Sequence, residues 1–366
     1  MLITTSKENL INAINAVQRA INPKSIIPLY ACIKIEVREN TAILTGAGLD
    51  IVIECAIPVQ MEREGLALVP ARYLSDIVRR LPDIPITLEH TDAMEMTIRY
   101  EKSIFTIKTM SPDDFPGMEF GGGDLSFTVT ADVLKKLIRQ SSFAVSADEL
   151  KGVFTGLLWE IEGKELSLVG TDTHRLAWSK GMVMTGSDET KGSFIIPARI
   201  SIEIARLIQN GECLIRADRN TVYFFFDNIK ILCRVLEGSF PNYRQVIPGR
   251  FITSLRADSR MIRDTTERIS LFAVSNDASS TIYLEIGEQI LSIHSRSDIG
   301  YGREEIQIQH EGDDMQIAFN ARYITDFFKV ADNDSVLMQF SGQLSAGVMK
   351  DDEDEDFLYL VLPIKV

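Results

Sequence analysis

Apolar residues recur every three or four positions in six stretches of the chain and at every second position in much of the rest. In 7–20, Leu10, Ile11, Ile14 and Val17 fall at helical spacing, and in 131–143 so do Val133, Leu134, Leu137 and Ile138. A third helix of this kind is predicted at 257–271. Alternating segments follow these helices, such as 33–37 and 166–169, and read as strands. A second set of helices is predicted at 71–81, 198–209 and 321–331. The first two are entered from a proline, which has no N–H to leave unpaired at a helix start.

That pattern is written three times. Val69-Pro-Ala-Arg72, Ile196-Pro-Ala-Arg199 and Phe319-Asn-Ala-Arg322 open the second helices at intervals of 127 and 123 residues. Leu44-Thr-Gly46 returns as Leu168-Val-Gly170 and, more weakly, as Ile293-His-Ser295. Phe115-Pro116 returns as Phe240-Pro241. Several matches in one order and phase indicate a tandem repeat. Glycine and proline punctuation then sets three domains at 1–121, 124–247 and 250–366. Each is an α+β unit of two helices and about eight strands, with the helices expected on one face of an antiparallel sheet.

Composition changes this picture little: 45% apolar and 25% charged residues describe an ordinary globular protein. No apolar run approaches the roughly 20 residues that span a bilayer, and the first residues do not read as a signal peptide. The scattered Cys32, Cys55, Cys213 and Cys233 suit a reducing cytoplasm and form no CxxC pair.

Charge changes it more. The net charge of −14 argues against a nucleic-acid partner unless the charge is segregated. The six predicted helices hold 15 basic and 8 acidic residues, a balance of +7 that leaves −21 for the rest. Basic helices on an acidic protein offer a polyanion one surface and repel it elsewhere. Arg79, Arg80, Lys136, Arg139 and Arg206 are expected to be open to such a partner. The acidic run at 351–356 reads as a solvated hairpin tip.

Catalytic patterns are absent. His90, His174, His294 and His310 form no HxxxH or HExxH pair, and no phosphate loop or nucleophile elbow occurs. Asp172 and His174 lie close together without a marked nucleophile, so a binding or structural role is expected there. No catalytic residue, cofactor or metal is expected.

Lys24 before Ile27-Pro-Leu29, Val69-Pro-Ala-Arg72, Thr171-Asp-Thr-His-Arg-Leu176, Phe240-Pro-Asn-Tyr-Arg244 and the terminus Tyr359-Leu-Val-Leu-Pro-Ile-Lys-Val366 resemble the bacterial DNA polymerase III beta subunit family, the sliding clamps, over the whole length. The resemblance implies the DNA-clamp fold, closed into a ring as a head-to-tail homodimer. It implies a processivity factor, not an enzyme, that encircles duplex DNA without sequence preference and tethers polymerases. Cytoplasmic work at bacterial replication forks follows, with no membrane partner. DNA-facing positions carry over to Lys24, Arg72, Lys151, Arg199, Asn320 and Tyr323, and the charge argument adds Lys135, Lys136 and Arg139.

A hydrophobic cleft for the peptide tails of the replicative polymerase, the clamp loader and repair polymerases carries over to Phe154, Thr171, Thr173, His174, Arg175, Leu176, Pro241, Val246, Leu344, Leu360, Val361, Leu362, Pro363 and Ile364. Its floor is expected from Leu176, Val246, Val361 and Leu362, with His174 and Arg175 at the rim. Relatives often have glycine at Thr173 and arginine at Gln245. The dimer interface is expected between Ala273 and Val274 at the third domain's first helix and Phe105 and Ile107 on a first-domain edge strand. Two rivals stay open on sequence alone: another nucleic-acid-binding ring with the same repeat, and an enzyme whose site is not apparent.

Overall fold

The computed structural model describes every residue except 23–24, 114, 116, 118–119, 187–188, 274–279, 353 and 366. Its helices are α1 (Lys7–Val17), α2 (Ala71–Arg80), α3 (Ala131–Ser142), α4 (Ala198–Leu207), α5 (Ser259–Ser270) and α6 (Ala321–Phe328). All six lie where the periodicity puts them. The end of the first predicted helix tightens into a 3-10 turn, Gln18–Ala20. Ala257 and Asp258 belong to strand Thr253–Asp258 instead of a helix, and the Asp258 carboxylate caps α5 by accepting from the Met261 N–H at 2.9 Å. Pro70 and Pro197 close the strands that feed α2 and α4. Asn320 takes that place in the third copy, and its side chain accepts from the Arg322 N–H at 2.9 Å.

The described residues hold nine, eight and nine strands in the three copies. They gather into two compact units. One comprises Met1–Ala131, Met184–Gly186 and Glu203–Val235, the other Asp132–Val183, Ser187–Ile202 and Leu236–Val366. The first unit has a five-stranded sheet that ends on Ser103–Lys108. Its eight-stranded sheet crosses a copy boundary, where Ile229–Arg234 pairs antiparallel with Ile51–Pro58. The second unit repeats the device in a nine-stranded sheet, where Arg175–Met182 pairs with Phe357–Val361. Its four-stranded sheet ends on Gly300–Gln307. Pairing across copies satisfies four strand edges that separate domains would leave open. The single sheet expected for each copy is thus two sheets, and α5 packs on strands of both.

Two glycines show how closely strand and helix approach. A Cβ at Gly46 would lie 2.1 Å from the Val17 carbonyl oxygen, and one at Gly170 would lie 2.3 Å from that of Ser141. These are equivalent positions of the repeat, so each strand presses on the end of its own copy's first helix. In the third copy Ser295 stands there, donating its hydroxyl to the Thr281 carbonyl at 2.7 Å. No helix among the described residues is long and apolar enough to cross a membrane.

Candidate functional site

Strand Phe357–Val361 sorts its side chains by the two-residue period. Phe357, Tyr359 and Val361 join the core that includes Phe327 and Phe340, while Leu358 and Leu360 join a second cluster with Leu158, Leu176 and Tyr243. Leu360 lies opposite Leu176 in the register with the neighbouring strand. The Leu362 N–H donates to the His174 carbonyl at 2.9 Å, which carries the chain past the end of that strand.

A cavity of about 210 Å³ opens over this second cluster. Its lining is Phe154, Thr171, Thr173, His174, Arg175, Leu176, Pro241, Asn242, Tyr243, Val246, Leu360 and Leu362. The structure therefore brings together ten of the expected cleft residues. It leaves out four. Val361 is 1% exposed and faces the other core, as its odd place in the strand requires. Leu344 is 71% exposed and is not among the lining residues. Pro363 and Ile364 run on from the lining, and the Ile364 N–H donates to the Ala318 carbonyl at 2.8 Å. Asn242 and Tyr243 are the additions. The Phe240-Pro-Asn-Tyr-Arg244 motif contained them, but the register of that turn was not readable from sequence.

The turn 171–175 is built around one carboxylate. Asp172 Oδ1 accepts from the His174 and Arg175 N–H groups at 2.9 and 3.0 Å, and the Thr171 hydroxyl donates to the Arg175 carbonyl at 2.6 Å. Thr173 has φ +82°, a left-handed conformation that strains a β-branched residue.

Arg175 is not a rim group. It is 7% exposed, with Nε donating to Asp172 Oδ2 at 3.0 Å and a terminal nitrogen donating to Asp326 Oδ2 at 2.6 Å. Its guanidinium lies over the Tyr323 ring, 4.5 Å from the centroid. Burial alone would push the Asp326 carboxyl up, but hydrogen bonds from Lys329 and Arg175 outweigh it and hold the group below the ordinary carboxylate range. Tyr243 is also buried. Burial and the neighbouring Glu160 carboxylate, which accepts from its hydroxyl at 2.7 Å, keep it a neutral donor. Val246, 54% exposed, edges the cavity and does not floor it. The floor is Leu176, Leu360 and Tyr243; the open side carries His174, Thr173 and Leu362.

Family models of the DNA polymerase III beta subunit match nearly the whole chain in order: the N-terminal domain over 1–119, the central domain over 128–242 and the C-terminal domain over 244–365. The chain belongs to the DNA polymerase III beta subunit family. A beta sliding clamp of Staphylococcus epidermidis is 31% identical, covering 100% of this chain and 99% of its own length, and one of Staphylococcus aureus is 30% identical over the same shares. The DNA polymerase sliding clamp of Bacillus subtilis matches in structure with a TM-score of 0.95 at 27% identity, covering 100% and 99% of the two chains. A Pseudomonas aeruginosa sliding clamp, solved bound to griselimycin, gives 0.95 at 26% identity over 100% of both. The chain is thus a DNA sliding clamp, a non-catalytic processivity factor of replication. DNA, a polymerase and dimerisation come with that family.

The clamp's expected DNA-facing residues fall into two groups. Arg72 and Arg199 are exposed at the second positions of α2 and α4, and neither has an ion-pair partner among the described residues. The other described ones are engaged. Lys136 Nζ lies 2.8 Å from Asp354, and Arg139 lies 2.5 Å from Asp332 while donating to the Val330 carbonyl at 2.9 Å. Lys135 is half-buried on the same helix. Lys151 donates to the Asp172 carbonyl at 3.1 Å, Asn320 caps α6, and Tyr323 stacks on Arg175. Lys24 lies outside the described residues.

Of the helix cations expected to be open, Arg79, Arg80, Arg139 and Arg206 are exposed, though most have a counter-ion beside them. Arg80 pairs with Asp76 at 3.2 Å and Arg206 with Glu203 at 2.6 Å, while Arg79 reaches only the Ser75 hydroxyl at 3.5 Å. The solvated hairpin tip also needs correction. Asp351 is buried and accepts from the Asp332 and Asn333 N–H groups, Asp352 pairs with Arg256 at 2.8 Å, and Asp354 pairs with Lys136. Net charge counted along a sequence cannot see these folded counter-ions.

At the expected interface, Phe105 stands on the edge strand Ser103–Lys108 beside Ile104, which is 63% exposed. Ile107 points inward and is buried. Ala273 follows α5 and is buried in the core; Val274 lies outside the described residues. Among the described residues no group of three His, Cys, Asp or Glu side chains could hold a metal.

Proposed function

We propose that two copies of this chain close head to tail around duplex DNA, and that the apolar cavity beside Leu176 takes short peptide tails. Those tails belong to the replicative polymerase, the clamp loader and repair polymerases, in the bacterial cytoplasm at replication forks. The cavity carries the reading: an open apolar floor of Leu176, Leu360 and Tyr243 in a protein with no catalytic constellation in its sequence. Burying one leucine or phenylalanine anchor there is worth about 1.5–3 kcal/mol, enough for a reversible tether.

Two sheet ends support closure. The edge strands Ser103–Lys108 and Gly300–Gln307 carry unpaired backbone groups and exposed Ile104, Phe105 and Tyr301. A strand edge with exposed apolar side chains is a template for another chain. Head-to-tail contact makes a ring only when the rotation per subunit closes the circle.

A ring needs little grip on DNA. Each direct phosphate contact releases counterions and adds affinity, and with it friction. Cations acting over a Debye length of about 8 Å hold the duplex through water, while topology prevents escape.

Protein loaded on nicked circular DNA should remain bound, and linearising the circle should release it. Equal retention on both forms refutes the ring. Leu176→Asp should weaken binding of a polymerase-tail peptide at least tenfold, about 1.4 kcal/mol, while leaving retention on circles unchanged. Undiminished peptide binding by the folded variant refutes the cleft.

A further inference from the structure

The two copy boundaries that lie within single units are built alike but charged differently. In the first unit, the strands Thr221–Phe226 and Ile229–Arg234 turn through only Asp227 and Asn228 beside α1. A polar cavity of about 420 Å³ remains there, lined by Asn12 and Asn15 of α1 among others. In the second unit the corresponding hairpin, between Gly347–Asp351 and Phe357–Val361, is longer and acidic. The α3 positions equivalent to Asn12 and Asn15, 124 residues on, are Lys136 and Arg139. Where the helix has asparagines the turn is short; where it has cations the turn is long and anionic.

The contacts are specific. Asp354, with a side chain 14% exposed, meets Lys136 at 2.8 Å and accepts from Gln140 at 3.3 Å. Arg139 reaches Asp332, whose own N–H donates to the buried Asp351 carboxylate at 2.9 Å. Burial would raise the Asp354 carboxyl, yet Lys136 and Gln140 hold it low, so it stays charged.

We propose that the acidic hairpin and the connection after α6, which is tied to it through Asp351, form a built-in competitor for DNA: Asp354 and Asp332 occupy the two α3 cations and must be displaced before a phosphate can use them. The device lowers the clamp's grip at this helix and leaves Arg72 and Arg199 as the more accessible cations. It rests on the reading that α3 faces the duplex. The Arg139–Asp332 pair is half-exposed and weak enough to exchange, so the competition there is reversible, while the Lys136–Asp354 pair is held more firmly.

The test measures equilibrium binding of the full-length protein to a short linear duplex by anisotropy across a salt series. Neutralising both carboxylates, Asp332→Asn with Asp354→Asn, should raise affinity at 50 mM salt and steepen the log K against log salt slope by about 1.8, since each new phosphate contact adds about 0.9. The gain over the parent should then shrink about tenfold between 50 and 200 mM. Adding Lys136→Gln and Arg139→Gln should abolish the gain. Glu62→Gln with Glu64→Gln makes the same change of net charge in the other compact unit and should not steepen the slope. An unchanged slope in the Asp332→Asn, Asp354→Asn protein, or equal steepening in the Glu62, Glu64 control, overturns the competitor. If the parent is retained equally on circular and linear DNA, the clamp reading fails first and takes this inference with it.

Discussion

Replacing Arg175 by alanine takes a buried guanidinium away from two largely buried carboxylates. In the parent, Asp172 lies 3.0 Å from its Nε and Asp326 lies 2.6 Å from a terminal nitrogen. Removing one partner of a buried pair typically costs about 3–5 kcal/mol, because the remaining charge has lost its compensation. Two features pull in opposite directions here. Lys329 still meets Asp326 at 2.7 Å, and two backbone N–H groups still reach Asp172, which softens the loss. The stacking on Tyr323, worth about 0.5–1 kcal/mol or more when desolvated, goes as well. The net remains near 3–5 kcal/mol. At about 2–4 °C per kcal/mol for a unit of this size, the melting temperature should fall by roughly 10 °C. Peptide binding should fall with it, since the turn that carries His174 and Thr173 loses its anchor.

The pH dependence supplies the sign. Asp326 has a folded-state pKa below its unfolded value, so its stabilisation is complete above an unfolded carboxylate pKa of about 4. It fades as pH drops through the lower folded value. The gap between parent and Arg175→Ala, followed by circular dichroism melts, should therefore narrow below about pH 4. Arg175→Met with Asp326→Asn, which removes one charge from each side, should melt above Arg175→Ala. A fall of less than about 2 °C at pH 7, or a gap that does not narrow in acid, refutes this account of the cluster.

Three further outcomes follow from local geometry. Thr173→Gly relieves a left-handed conformation that costs about 1–2 kcal/mol, of which about 0.4–1 returns as greater unfolded-chain entropy; a melting temperature raised by a degree or more is expected. Gly170→Ala drives a methyl into the Ser141 carbonyl and should destabilise by about 1–3 kcal/mol in a denaturant titration, whereas Ser295→Ala at the equivalent place in the third copy should cost no more than about one hydrogen bond, 0.5–1.5 kcal/mol. Burial pushes the Cys55 thiol up to about 11 and Cys213 up to about 12, and all four cysteines are free and buried. An alkylating reagent at pH 8 should leave the native protein unmodified and label four thiols in denaturant.

The repeat and the helices were legible because each is a local signal: a 3.6-residue period, a capping residue, a strand-to-helix turn marked Pro-Ala-Arg or Asn-Ala-Arg. The sheets were not, since a strand carries no mark of its partner. Nothing in Ile229–Arg234 says that it pairs with Ile51–Pro58, some 180 residues earlier in the chain. The cleft was legible as a set of segments but not as a surface. Alternation along Phe357–Val361 could have excluded Val361 once Leu360 was placed in the cleft, because neighbours on a strand face opposite ways. Arg175 was beyond that reasoning. An arginine among apolar residues reads as a rim group until Asp326, 151 residues on, is seen to meet it. The same limit governs the charge argument. The excess of +7 on the helices is a real property of the sequence, yet Asp354 and Asp332 cancel part of it through contacts of long separation. A field at a binding surface depends on which counter-ions fold beside it. Arg72 and Arg199 at the starts of α2 and α4 are exposed with no ion-pair partner among the described residues, whereas Lys136 and Arg139 of α3 are paired, although α2 and α3 each carry three cations and one carboxylate.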